Sequence, residues 1–206
     1  MHPLLGLLVA YLAGSIPFAF LAGKAKGIDL REHGSGNLGA TNAMRVLGPR
    51  IGGLVYVADT LKGMLPVLLL PRYVDSARPD LWAIAFGVAA IIGHVRSIFL
   101  LWQGGGKGVA TTGGVFFGLA FVPTFVAFLS FLAALAITRR VSVGSLTAAV
   151  VLPTALIVTR GIKDPLTIIC LVIAVGVIWL HRTNIARLRA GTEPKIGSRV
   201  KQETAA

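Results

Sequence analysis

Hydrophobic residues along this chain gather into long runs separated by short polar loops. Nearly uncharged runs cover 3–22, 51–70, 81–101, 109–137, 141–159 and 165–180. A helix needs about 20 apolar residues to cross the hydrocarbon of a bilayer. The pattern therefore predicts an all-α membrane protein, a polytopic bundle forming one domain over residues 1–206. The run 109–137 holds 29 residues, too many for a simple crossing, with Pro123 near its middle. It is expected to form either one long kinked helix or two short segments turning near Pro123.

Charge placement bears on that choice. Loop 23–50 carries Lys24, Lys26, Arg31, Arg45 and Arg50 against Asp29 and Glu32, and the tail carries Arg182, Arg187, Arg189, Lys195, Arg199 and Lys201. Loop 71–80 balances Arg72 and Arg78 with Asp75 and Asp80. If 109–137 crosses twice, the basic loops, Arg139-Arg140 and the tail all fall on one side, as positive-inside orientation requires. The expectation is seven transmembrane helices, with the N-terminus outside and the C-terminus cytoplasmic. Arg160 and Lys163, offset only by Asp164, sit awkwardly outside in this arrangement. The run before Lys24 has no basic region ahead of it, so it reads as a first span and not as a cleaved signal.

Composition agrees with this setting. Hydrophobic residues make up 55% of the chain and charged residues 14%, and mean hydropathy is +0.79. The net charge of +12 lies at the ends of apolar runs. Anionic headgroups account for it there, so nucleic acid is not an expected partner. The single cysteine, Cys170, excludes an intramolecular disulfide and a cysteine-cluster metal site.

Four polar clusters fall on the expected cytoplasmic side. In Gly34–Arg45, glycines permit close backbone approach. Ser35, Asn37, Thr41 and Asn42 offer hydrogen-bonding groups there, and Arg45 offers a fork suited to phosphate. In the second, Gly104, Gly105 and Gly106 precede Lys107, with Thr111 beyond. Backbone N–H groups and an ammonium at a helix start suit an anion. The third holds Arg139, Arg140, Ser142 and Ser145, and the fourth runs from His181 to Asn184.

Other readings carry less. Gly108 after Lys107 excludes a Walker A loop, and Gly34-x-Gly36-x-x-Gly39 follows no strand, which excludes a dinucleotide site. Gly113, Gly114 and Gly118 suit close helix packing equally well. Arg182, Arg187 and Arg189 read as headgroup charges. Asp59 and Lys62, three apart in an apolar run, are either a functional pair or a structural brace. His94 and His181 have no third ligand at a familiar spacing, so neither metal nor cofactor is expected. Positions five after His2, His33, His94 and His181 hold Leu7, Leu38, Phe99 and Ala186. The His-x4-Asp motif of acyl-CoA-type glycerolipid acyltransferases is therefore absent. No Gly-x-Ser-x-Gly elbow occurs either.

GSGNLGATNAMR at 34–45, GHVRSIFLLWQGGGKGVAT at 93–111, VSVGS at 141–145 and HRTNIARLRAGTE at 181–193 together resemble the bacterial membrane glycerol-3-phosphate acyltransferases that use acyl phosphate. The family pattern has proline at Ser97, an acidic residue at Thr183, and one residue fewer between His94 and Lys107. The resemblance implies a seven-helix fold with a cytoplasmic-facing site in the bacterial inner membrane. It implies acyl transfer from acyl phosphate to glycerol 3-phosphate, giving 1-acylglycerol 3-phosphate and phosphate. Ser35, Arg45, Lys107, His181 and Asn184 are then expected to be catalytic. Asn37, Thr41, Asn42, His94, Gly104, Gly105, Gly106, Thr111, Ser142 and Ser145 are expected to bind substrate. A small transporter of anions or organophosphates is the alternative. It would place its site near the midplane between repeated halves, and no repeat is present.

Overall fold

The computed structural model of the chain describes residues 1–197. Arg199 and Lys201 of the basic tail lie outside the described residues. The helices are α1 (Pro3–Ser15), α2 (Phe18–Lys24), α3 (Ala40–Leu47), α4 (Pro49–Leu69), α5 (Pro79–Val95), α6 (Val109–Leu119), α7 (Phe121–Thr138), α8 (Val141–Arg160), α9 (Pro165–Leu180) and α10 (Arg182–Arg189). Among the described residues, five candidate spans are long and apolar enough to cross a membrane: Pro3–Lys24, Pro49–Tyr73, Pro79–Leu100, α7 and α8. Helices α9 and α10, bent by 55° at His181, make a sixth if taken together. The protein is thus an all-α polytopic membrane bundle with five or six such spans. Helix α6, with 11 residues, is shorter than a simple crossing.

The run 109–137 divides at Ala120, where φ is −152° and ψ 73°. Pro123 falls in the first turn of α7, where its missing N–H breaks no helical hydrogen bond. The break therefore precedes the proline. The Phe117 and Phe128 rings lie 6.0 Å apart, whereas eleven residues of straight helix would separate them by about 16 Å. The chain turns here, and Arg160 donates to the freed carbonyl of Leu119 at 3.2 Å.

A second break hides inside the run 3–22. Pro17 separates α1 from α2 and leaves carbonyls at the end of α1 without helical partners. The Ser97 hydroxyl donates to the Ser15 carbonyl at 2.5 Å, and the Lys62 ammonium donates to the Ile16 carbonyl at 2.7 Å. Lys62 also pairs with Asp59 at 2.7 Å, with both side chains buried. Of the two roles open to this pair, the contact to Ile16 favours the brace. Helices α4 and α6 meet backbone to backbone. A Cβ at Gly63 would collide with the Thr111 carbonyl, and one at Gly114 with the Thr60 carbonyl. Gly118 packs on Val67, while Gly113 has open space before it.

Candidate active site

Helix packing leaves a cavity of about 1170 Å³ that opens among the polar clusters and continues between α7, α8 and α9. Its polar end is lined by Ser35, Asn37, Thr41, Asn42 and Arg45, by His94 and Lys107, by Ser142 and Ser145, and by His181 and Asn184. Segments far apart in sequence thus converge on one chamber. Gly104, Gly105, Gly106 and Thr111 do not line it. A Cβ at Gly106 would collide with the His94 ring, and one at Gly105 with the Val95 carbonyl. These glycines seat the loop against the end of α5. Thr111 is fully buried against α4, and its neighbour Thr112 faces the cavity instead.

Loop 34–39 is folded by Asn42. That side chain accepts from the Ser35 N–H at 2.8 Å and donates to the carbonyls of Leu30 and His33 at 3.1 and 3.0 Å. With its hydrogen-bonding groups so engaged, Asn42 holds Ser35 in place. Asn37 donates to the Gly105 carbonyl at 3.2 Å and joins the first glycine loop to the second. Helix α3 then carries Thr41 and Arg45 on the cavity wall.

Lys107 donates to the Asn184 side-chain oxygen. Asn184 in turn donates to Glu193 at 2.6 Å, and Arg187 binds the other Glu193 oxygen at 2.7 Å. Ser145 caps back onto the Val141 carbonyl at 3.0 Å. Burial opposes the Glu193 charge, but Ser142, Asn184 and Arg187 outweigh it and hold the carboxyl below its usual range. Arg45 is half-buried, and its pKa falls chiefly through burial, with Glu193 opposing the fall. Burial, reinforced by Arg187, brings Lys107 down to about 8. His181 is buried, and its Nδ1 donates to the Val177 carbonyl at 2.8 Å. That bond fixes the tautomer and leaves Nε2 as an acceptor. Burial also holds His181 below its ordinary value, so the ring is neutral near pH 7.

Glu193 and Arg187 belong to this network, contrary to the headgroup reading of Arg187. Arg182 fits that reading better: it is exposed and stacks over Trp179 at 4.2 Å. One signal for Glu193 was available, since it is one of only eight acidic residues in the chain. Nothing local distinguishes Arg187 from Arg189. The segment after α10 also lies against the chamber. Ile196 donates its N–H to the Arg139 carbonyl at 2.7 Å, and Arg140 donates to the Glu193 carbonyl at 3.2 Å. The four expected clusters therefore meet, with the tail as an added wall.

Comparison with known proteins gives one consistent result. A family model described as glycerol-3-phosphate acyltransferase matches residues 4–191. The glycerol-3-phosphate acyltransferase of Geotalea daltonii is 46% identical, over 89% of this chain and 92% of its own. Glycerol-3-phosphate acyltransferase 2 of Bacillus cereus is also 46% identical, over 95% and 96%. The chain superposes on a crystal structure of PlsY (YgiH), an integral membrane glycerol 3-phosphate acyltransferase, in its glycerol 3-phosphate form. That match has a TM-score of 0.86 and 38% identity, covering 95% of this chain and 96% of the other. A lysophosphatidic acid form of the same protein matches with a TM-score of 0.82 and 37% identity. With the polar chamber, the apolar cleft and these matches in agreement, the chain belongs to the glycerol-3-phosphate acyltransferase family.

Proposed function

We propose that this protein transfers an acyl chain from acyl phosphate to the 1-hydroxyl of glycerol 3-phosphate. The products are 1-acylglycerol 3-phosphate and inorganic phosphate, in the first acylation of phospholipid synthesis. The observation that carries this reading is the shape of the cavity. A chamber with Arg45 and Lys107 in its wall runs directly into an apolar cleft, so one space offers sites for two phosphates and a fatty chain. The glycerol hydroxyl attacks the carbonyl carbon, and the bond from that carbon to the phosphate oxygen breaks. The hydroxyl proton passes to His181 Nε2 or to a phosphate oxygen of the donor. No acyl-enzyme forms, because the mixed anhydride already carries a good leaving group. Arg45 and Lys107 neutralise phosphate charge, and Ser35, Ser142 and Asn184 position the phosphates. Holding both reactants together in a partly dehydrated chamber supplies most of the rate.

The same proposal includes seven spans, with α6 as a short crossing paired with the full-length α7, the N-terminus outside and the chamber facing the cytoplasm. Support comes from Lys107 and Arg140, which lie at opposite ends of the α6–α7 segment. Both reach the Asn184–Glu193 network, so that segment starts and ends at one face. The deciding experiment is an assay of the purified protein with palmitoyl phosphate and radiolabelled glycerol 3-phosphate, with and without chelator. Product is expected from palmitoyl phosphate in both cases and not from palmitoyl-CoA. Robust turnover of palmitoyl-CoA, or loss of activity on chelation, overturns the reading.

A further inference from the structure

Below the polar chamber the cleft has a measurable depth. Helix α7 contributes a wall from Leu135 to Thr124, α8 from Ser142 to Pro153, and α9 with its cap from His181 to Cys170. Each stretch is twelve residues long, so its ends lie eleven helical steps, or about 16 Å, apart. Short turns at 139–140 and 161–164 join packed neighbours, so α8 runs antiparallel to both. Thr124, Pro153 and Cys170 therefore end at one level. That level is closed. Thr124 is 3% exposed, Leu152 7% and Cys170 2%. Ala127, Leu152 and Cys170 belong to the same packed cluster as Phe116, Leu156 and Leu166. The Thr124 hydroxyl turns back to the Ala120 carbonyl at 2.7 Å, which leaves the floor apolar.

We infer that this floor is a ruler for the acyl chain, with Thr124, Leu152 and Cys170 as its length-determining residues. The inference rests on the acyl-phosphate reading above. A carbonyl held beside His181 leaves about 16 Å of cleft for the chain. Half the hydrocarbon thickness of a bilayer is about 15 Å, so the cleft takes one chain of ordinary phospholipid length. A longer chain meets close-packed core, which does not yield cheaply. Small residues line the path, among them Ala127, Ala148 and Ala174, and the larger Leu152 stands at its end. Specificity therefore lies at the floor, far from the reacting atoms.

The test compares dodecanoyl, tetradecanoyl, hexadecanoyl and octadecanoyl phosphate as donors at saturating glycerol 3-phosphate. The readout is the ratio of kcat/KM between donors, set against the same ratio for the unaltered protein in the same detergent. That ratio cancels both micelle partitioning and the fraction of active enzyme. Cys170→Phe should lower the hexadecanoyl-to-dodecanoyl ratio at least tenfold. Leu152→Ala should shift the ratio the other way, raising octadecanoyl against hexadecanoyl. Val172→Phe, on the same helix but 64% exposed, should leave every ratio unchanged. If Cys170→Phe is inactive with every donor, the opposite shift in Leu152→Ala decides. Unchanged ratios in active floor variants, or an equal shift in Val172→Phe, overturn the ruler. Unaltered protein inactive with all four donors would instead sink the proposed reaction.

Discussion

Arg45 and Lys107 are the two cations whose chemistry is easiest to test. Both line the chamber, and burial acts on both. Removing a cation that neutralises a phosphate in such a site costs about 2–5 kcal/mol of transition-state stabilisation. Arg45→Ala and Lys107→Ala should each lower kcat/KM for glycerol 3-phosphate at least tenfold in protein that still runs as a single size-exclusion peak. Arg45→Lys should recover little, because an ammonium lacks the two-pronged fork. Near-normal rates in both alanine variants would make these residues lipid anchors. Lys107 also predicts a pH profile. Its pKa is lowered to about 8, so the ammonium is present below that pH and lost above it. If the cation is required, kcat/KM should fall about tenfold per unit above pH 8, and a flat profile to pH 10 would refute the requirement. These residues were legible because polar side chains are rare in so apolar a chain. Arg187 was not legible, since three arginines within eight positions look alike until α10 is built and Glu193 folds back on it.

At the scale of elements, buried polar groups hold the breaks in place. Lys62 serves both the Asp59 carboxylate and the Ile16 carbonyl at the α1–α2 break, and His94 Nδ1 lies 3.7 Å from Asp59. Lys62→Met removes both services and leaves a buried carboxylate, a loss of about 3–5 kcal/mol for a broken buried pair. The apparent Tm of the detergent-purified protein should drop clearly. Adding Asp59→Asn should recover part of the drop, because the unpaired charge is gone. An unchanged Tm in Lys62→Met would show that the brace carries no weight. Neither helix break was evident at its true position from hydropathy. Pro17 lies in an unbroken apolar run whose two halves are both helical, so the run reads as one segment. The turn at Ala120 carries no glycine or proline of its own. Pro123 marks it three residues late, because proline fits the first turn of the helix that follows. The division of 109–137 into two segments was nevertheless open to inspection, since 29 residues exceed a simple crossing.

For the whole molecule, the prediction concerns which face of the bundle meets the cytoplasm. Lys107, Arg140, Asn184 and Glu193 meet at one end of the bundle. The N-terminal ammonium meets the Tyr73 carbonyl at 2.7 Å, so the N-terminus and the end of α4 share a level. Charge counts favour the chamber end as cytoplasmic, since loop 23–50 and the tail are both basic. Lys163 decides between one crossing and two for 109–137. With two crossings, the loop between α8 and α9 faces outward and α10 faces the cytoplasm; with one crossing, both are reversed. In a Cys170→Ala background, single cysteines at Ala77, Lys163, Lys26 and Arg189, all exposed, report this by labelling intact cells with an impermeant maleimide. Ala77 and Lys163 positions should label, and Lys26 and Arg189 should label only after the membrane is opened. Labelling at 189 with protection at 163 would reverse α8 and α9 relative to the first three spans. Because Lys107 and Asn184 touch, the chamber would then need parts on both sides of the bilayer, and a cytoplasmic site built from all four clusters would fail.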